Sequence, residues 1–95
     1  MAQNTDITLT AGAWTQLTNA DVAGTITFQN KTGDAIWVKA TVDGTTPTSF
    51  DGAIRYEPND GEKLSTIAAL FPGLTSPDRL WAWSHNGGKV AVSHG

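Results

Sequence analysis

Apolar residues recur at every second position in two consecutive segments, Gly24–Asn30 and Ala35–Val42. A period of two fits a pleated strand and does not fit a helix. Ile26 and Phe28 share one side of the first segment, with Thr25, Thr27 and Gln29 opposite. Ile36, Val38, Ala40 and Val42 share one side of the second, which leaves Trp37, Lys39 and Thr41 on the other. Lys31–Asp34 has the composition of a turn, so the two segments read as a hairpin with Trp37 on its solvent side.

Shorter pieces of the same kind fill the rest of the chain. Asp6–Thr10 alternates with Ile7 and Leu9 on one face, and Trp14–Thr18 is a weaker strand whose Trp14 and Leu17 fall on opposite faces. Ala53–Glu57 is a short strand stopped by Pro58. Leu64–Phe71 is the one helix candidate, capped by Ser65 or Thr66 and ended by Pro72-Gly73. Asp43–Gly52 is a long polar connection, with turn signals at both ends. Seven or eight short strands at this spacing predict an all-β domain, a small β-sandwich or jelly roll of antiparallel strands with one short helical turn. Residues 1–5 carry no pattern and read as a flexible arm, with 6–95 a single domain.

The closing stretch Arg79–His94 places two apolar runs on either side of Asn86-Gly87-Gly88. Those three residues supply the positive φ of a tight turn, and an even-length loop pairs Trp83 with Val92 and Trp81 with His94. Trp81, Trp83, Val90 and Val92 then form one heavy apolar face. The expected core is therefore Ile26, Phe28, Ile36, Val38, Trp81, Trp83, Val90 and Val92.

Composition narrows the function classes. A net charge of −3 with six basic residues lacks the clustered Lys and Arg that phosphate binding needs, which argues against a nucleic-acid partner. There is no cysteine, hence no disulfide framework or thiolate metal site. No signal-peptide pattern or membrane-length apolar run is visible, so the expectation is a protein made in a cytoplasm with no membrane partner.

Catalytic patterns fare no better. In the hairpin register His85 and His94 stand roughly 14 Å apart, too far to share an ion. Ser84-His85 and Ser93-His94 are strand neighbours that point to opposite faces, the wrong geometry for a nucleophile and its base. Asp51-Gly52 and Asp60-Gly61 read as turn dipeptides rather than calcium or acid–base carboxylates. The chain reads as a non-enzyme with no cofactor and no metal.

That leaves the aromatic residues. An outward Trp on a small domain marks a surface that something covers: a partner, a sugar ring, or the 43–52 connection itself. The candidate interface residues are Trp14, Trp37, Lys39, Thr46, Phe50 and Arg55.

Seven pieces of the chain then carry a likeness: Trp14–Thr18, Ile26–Asn30, Thr46–Ser49, Gly52–Tyr56, Leu70–Gly73, Arg79–Trp83 and Val90–His94. In this order they resemble small virion proteins encoded in the structural-gene clusters of tailed bacteriophages. The resemblance spans nearly the full chain. It implies a non-enzymatic β-sandwich on the capsid surface, a decoration or cement protein that joins neighbouring capsomers. Its partners would be the major capsid protein and further copies of itself, with a homotrimer favoured. The alternative is a tail, neck or fibre module that binds carbohydrate through exposed Trp.

Overall fold

The computed structural model describes residues 2–95, which form eight strands and one helical turn. The strands are β1 Gln3–Leu9, β2 Trp14–Gln16, β3 Thr25–Asn30, β4 Ile36–Thr41, β5 Ile54–Tyr56, β6 Gly61–Thr66, β7 Arg79–Trp83 and β8 Gly88–His94. The helical turn, α1 Ile67–Leu70, lies between β6 and β7. Two four-stranded antiparallel sheets result, ordered β1-β8-β3-β6 and β2-β7-β4-β5.

The pairing is nested. β1 pairs with β8, β2 with β7, β3 with β6 and β4 with β5. Further ladders join β3 to β8 and β4 to β7. This winding is the jelly roll, which the spacing of the strands led us to expect alongside the plainer sandwich.

Two expected hairpins are absent. β3 and β4 lie in different sheets, as do β7 and β8, so the turns 31–35 and 84–87 cross between layers. Alternation fixes which residues share a face of a strand, but it does not choose the strand's neighbour. The last crossing is held by side chains as well as by Gly87 (φ +78°) and Gly88 (φ +118°). Ser84 Oγ donates to the Gly87 carbonyl at 3.0 Å, and the Asn86 amide donates to Asp34 at 2.7 Å. A third correction concerns the N-terminus. Gln3, Asn4 and Thr5 belong to β1 and pair with His94, Ser93 and Val92, so they form no arm; Met1 lies outside the described residues.

The core fills the space between the layers. Leu9, Ile26, Phe28, Val90 and Val92 come from one sheet, and Ile36, Val38, Ala40, Leu80 and Ala82 from the other. Leu17, just past β2, is fully buried, opposite in face to Trp14 as expected. Tyr56 meets Phe28 edge-on at 5.1 Å. Each large aliphatic side chain buried in this way contributes roughly 1.5–3 kcal/mol.

Residues 64–66, assigned from sequence to the start of the helix, belong instead to β6. Thr66 is the cap: its Oγ1 accepts from the Ala69 N–H at 3.1 Å, and Ile67 turns into the core. Val42, expected inward, lies beyond the end of β4 and is exposed.

β6 is not a regular strand. Glu62 faces Phe28 and Ser65 faces Ile26, so Lys63 and Leu64 together oppose Thr27. This is a β-bulge, which bends an edge strand and spoils its ladder. Gly61 is required for a different reason. A Cβ there would lie 1.9 Å from the Phe28 carbonyl oxygen.

Candidate interaction surface

The outer face of the second sheet is built by register. In an antiparallel pair, directly opposed residues share a face. Trp37 of β4 opposes Trp83 of β7, which opposes Trp14 of β2. Arg55 of β5 opposes Trp37 from the other side. The result is one row, Trp14–Trp83–Trp37–Arg55, crossing all four strands. The neighbouring row is Gln16–Trp81–Lys39.

Both closing tryptophans are therefore on the outer face, contrary to the register read from the sequence. Trp81 is buried there, 6% exposed, with its indole N–H donating to Thr41 Oγ1 at 2.9 Å. Trp83 is half-buried. The physical reason lies in the inner positions of β7, where the small Ala82 opposes Val38 and Leu80 opposes Ala40 within the packed core. Two indoles would overfill that space. The other six expected core residues, Ile26, Phe28, Ile36, Val38, Val90 and Val92, are at most 1% exposed.

The 43–52 connection folds back over the row. Lys39 Nζ donates to the Ser49 carbonyl at 3.1 Å, and the Ala53 N–H closes a turn onto the Phe50 carbonyl at 2.9 Å. Earlier in the connection, the Thr45 N–H donates to the Asp43 carboxylate at 2.8 Å, and this bond holds the Asp43 pKa below its ordinary value. These ties set the Phe50 ring among three indoles. Its centroid is 4.9 Å from Trp83, 5.4 Å from Trp14 and 6.0 Å from Trp37, edge-on to the first and last. Edge-to-face contacts of this kind are the favoured geometry of aromatic pairs. Phe50 nevertheless stays 47% exposed, so the cluster ends in an apolar crown open to water.

Trp14, Trp37, Lys39, Phe50 and Arg55 thus come together around one cluster, while Thr46 sits on the exposed connection. Trp83 is the member that sequence reasoning placed elsewhere. Arg55 meets Glu57 at 3.3 Å with both side chains largely in water, a pair worth little to stability. The two histidines are far from any shared role: His85 is exposed within the 84–87 turn, and His94 is buried at the far end of β8. Among the described residues no group of three His, Cys, Asp or Glu is placed to hold a metal ion.

No family model, curated protein or solved structure matches this chain.

Two further surfaces complete the picture. The outer face of the first sheet carries a groove of about 520 Å³ bordered by Asn4, Thr27, Gln29, Asn59, Lys63 and Ser93, mostly polar side chains, with Phe28 also in its lining. Beside α1, a second groove of about 500 Å³ is lined by Ala40, Leu70, Phe71, Pro72 and Leu74 and rimmed by Lys39 and Asp51.

Proposed function

We propose that this chain is a non-enzymatic structural protein of a tailed-phage particle that decorates the outside of the capsid. In this reading it joins neighbouring capsomers as a homotrimer, with the major capsid protein as its second partner. The observation that carries the reading is where the seven resembling segments fall in the fold. They coincide with β2, β3, the 43–52 connection, β5, the end of α1, β7 and β8. The likeness therefore touches β2, β3, β5, β7 and β8, strands of both sheets, and passes over β1, β4 and β6. A jelly roll is also an architecture used in viral capsids. Its apolar crown around Phe50 and the two grooves supply contact surface, and many modest contacts repeated over a shell add up through multivalency.

Cryo-electron microscopy of the particle that carries this protein tests the proposal. Density for this jelly roll on the head exterior, bridging capsomers, is the expected result. Density confined to the tail or neck, or none in the particle, would overturn it.

A second reading, a fibre or tail module that binds carbohydrate, is favoured by the outward row of Trp14, Trp83 and Trp37. Phe50 already occupies the space among these indoles, which weighs against a free stacking platform. A glycan array on the wild-type protein and on Phe50→Ala separates the readings, because a sugar site would bind and would be enhanced by removing the ring.

A further inference from the structure

Three described non-glycine residues have left-handed backbone: Asn59, Leu64 and Ser76. Asn accepts this conformation readily, but a bulky apolar residue does not. Leu64, at φ +52°, is also 77% exposed, the highest value among the large apolar side chains. Its place in the bulge explains the geometry, and its backbone N–H is satisfied by Thr27 Oγ1 at 3.1 Å. Nothing within the chain explains why the residue is leucine. Strained backbone persists where the surrounding structure or a function maintains it.

A matching concavity exists on the same chain. The groove beside α1 has an apolar floor of Ala40, Leu70, Phe71 and Pro72, and Leu74 on its wall is 39% exposed. Its volume of about 500 Å³ is ample for one leucine side chain. Charge agrees as well. Lys63, adjacent to Leu64, and Asp51, on the groove rim, are both exposed and form no ion pair among the described residues.

We propose that Leu64 of one copy of this chain seats in the α1 groove of a second copy, with Lys63 facing Asp51 across the contact. Knob and groove lie on different elements, so the contact is made either twice, reciprocally, in a twofold dimer or once per pair, head-to-tail, in a ring when the rotation closes and a filament when it does not. The bulge keeps β6 from simply adding to a neighbour's sheet, which leaves side-chain insertion as the mode of contact. Three copies per ring rests on the function proposed above; the contact itself does not.

Analytical ultracentrifugation over a concentration series tests this on the full chain. Wild-type protein should self-associate. Leu64→Asn, which suits the left-handed backbone, should weaken association at least tenfold while its thermal melt shows a folded protein. Leu74→Asp should weaken association as strongly from the groove side. Lys63→Glu should weaken it too, and adding Asp51→Lys should restore it. Association untouched by both Leu64→Asn and Leu74→Asp would overturn the contact and leave a homo-oligomer standing through another surface. A wild type that is monomeric at its highest soluble concentration would overturn the contact and the trimer together, while head location would still be decided by the particle map. Monomeric protein that binds capsids through Leu64 would make the capsid the occupant and overturn the second copy.

Discussion

Asn30 is fully buried, and its carboxamide makes three hydrogen bonds. Nδ2 donates to the Asp34 carbonyl at 2.9 Å and to the Tyr56 carbonyl at 3.2 Å, while Oδ1 accepts from the Thr32 N–H at 2.9 Å. Its own main chain is tied to Asp60 and Asn59, each at 2.8 Å. One residue thereby fixes the 31–35 and 57–60 connections to each other. Asn30→Ala takes a partner from the buried Tyr56 carbonyl and the buried Thr32 N–H, at about 1–3 kcal/mol for each group left unpaired, while the Asp34 carbonyl keeps its bond from Thr32 Oγ1. A loss of at least about 2 kcal/mol is expected in urea denaturation. Gly61→Ala acts on the same corner through sterics alone, by forcing β3 and β6 apart. It should cost about 1–3 kcal/mol, read as a lower melting temperature.

Tyr56 sets a pH dependence. Burial pushes its hydroxyl well above the ordinary 10.0, and the hydrogen bond to Glu62 at 3.1 Å raises it further. The folded chain thus holds a proton that the unfolded chain begins to release near pH 10. The resulting stability is complete below that pH and is lost as the solution becomes more alkaline. Tyr56→Phe should flatten the fall in urea midpoint above pH 10, and an unchanged slope would assign the fall to other groups.

Among the elements, the 43–52 connection holds the most testable contact. Phe50→Ala removes the ring shared by Trp14, Trp37 and Trp83 without touching the inter-sheet core. Truncating a core Phe costs about 3–5 kcal/mol, and Phe50 is half in water, so about 1–2 kcal/mol is expected. Tryptophan emission should shift to the red as the indoles become wet. At this scale much was legible from sequence. Alternation located β3 and β4 to within a residue or two and oriented Ile26, Phe28, Ile36 and Val38 correctly, because burial enforces a period of two. The same logic failed for Trp81 and Trp83. Size suggests burial, yet the inner positions of β7 go to Leu80 and Ala82, and only the facing side chains of β4 could have shown that the space was taken. Leu64 was hidden for a similar reason. Two residues opposing Thr27 break the period, so a strand reads like the opening of a helix.

For the whole molecule, sequence reached the sandwich or jelly-roll class and stopped before the strand pairing. Turn composition at 31–35 and 84–87 is the same for a hairpin and for a crossing between layers, so neighbouring strands were joined when distant ones pair. The β1–β8 ladder follows from that winding, and removing residues 1–9 strips one edge of the first sheet and uncovers β8. Such a truncation should aggregate or lose its cooperative melt, whereas a dispensable arm would leave the melt unchanged.

Nesting also orders events on the ribosome. Among the described residues β4 and β5 are the only consecutive strands that pair, so this hairpin can form while the remainder is still being made. β3 must wait for β6, β2 for β7, and β1 for β8. Of these eight strands β1 emerges earliest and is therefore the last to find its partner. Until then Ile7 and Leu9 lack their β8 partners, and β1 is the strand most exposed to chaperones and misassociation.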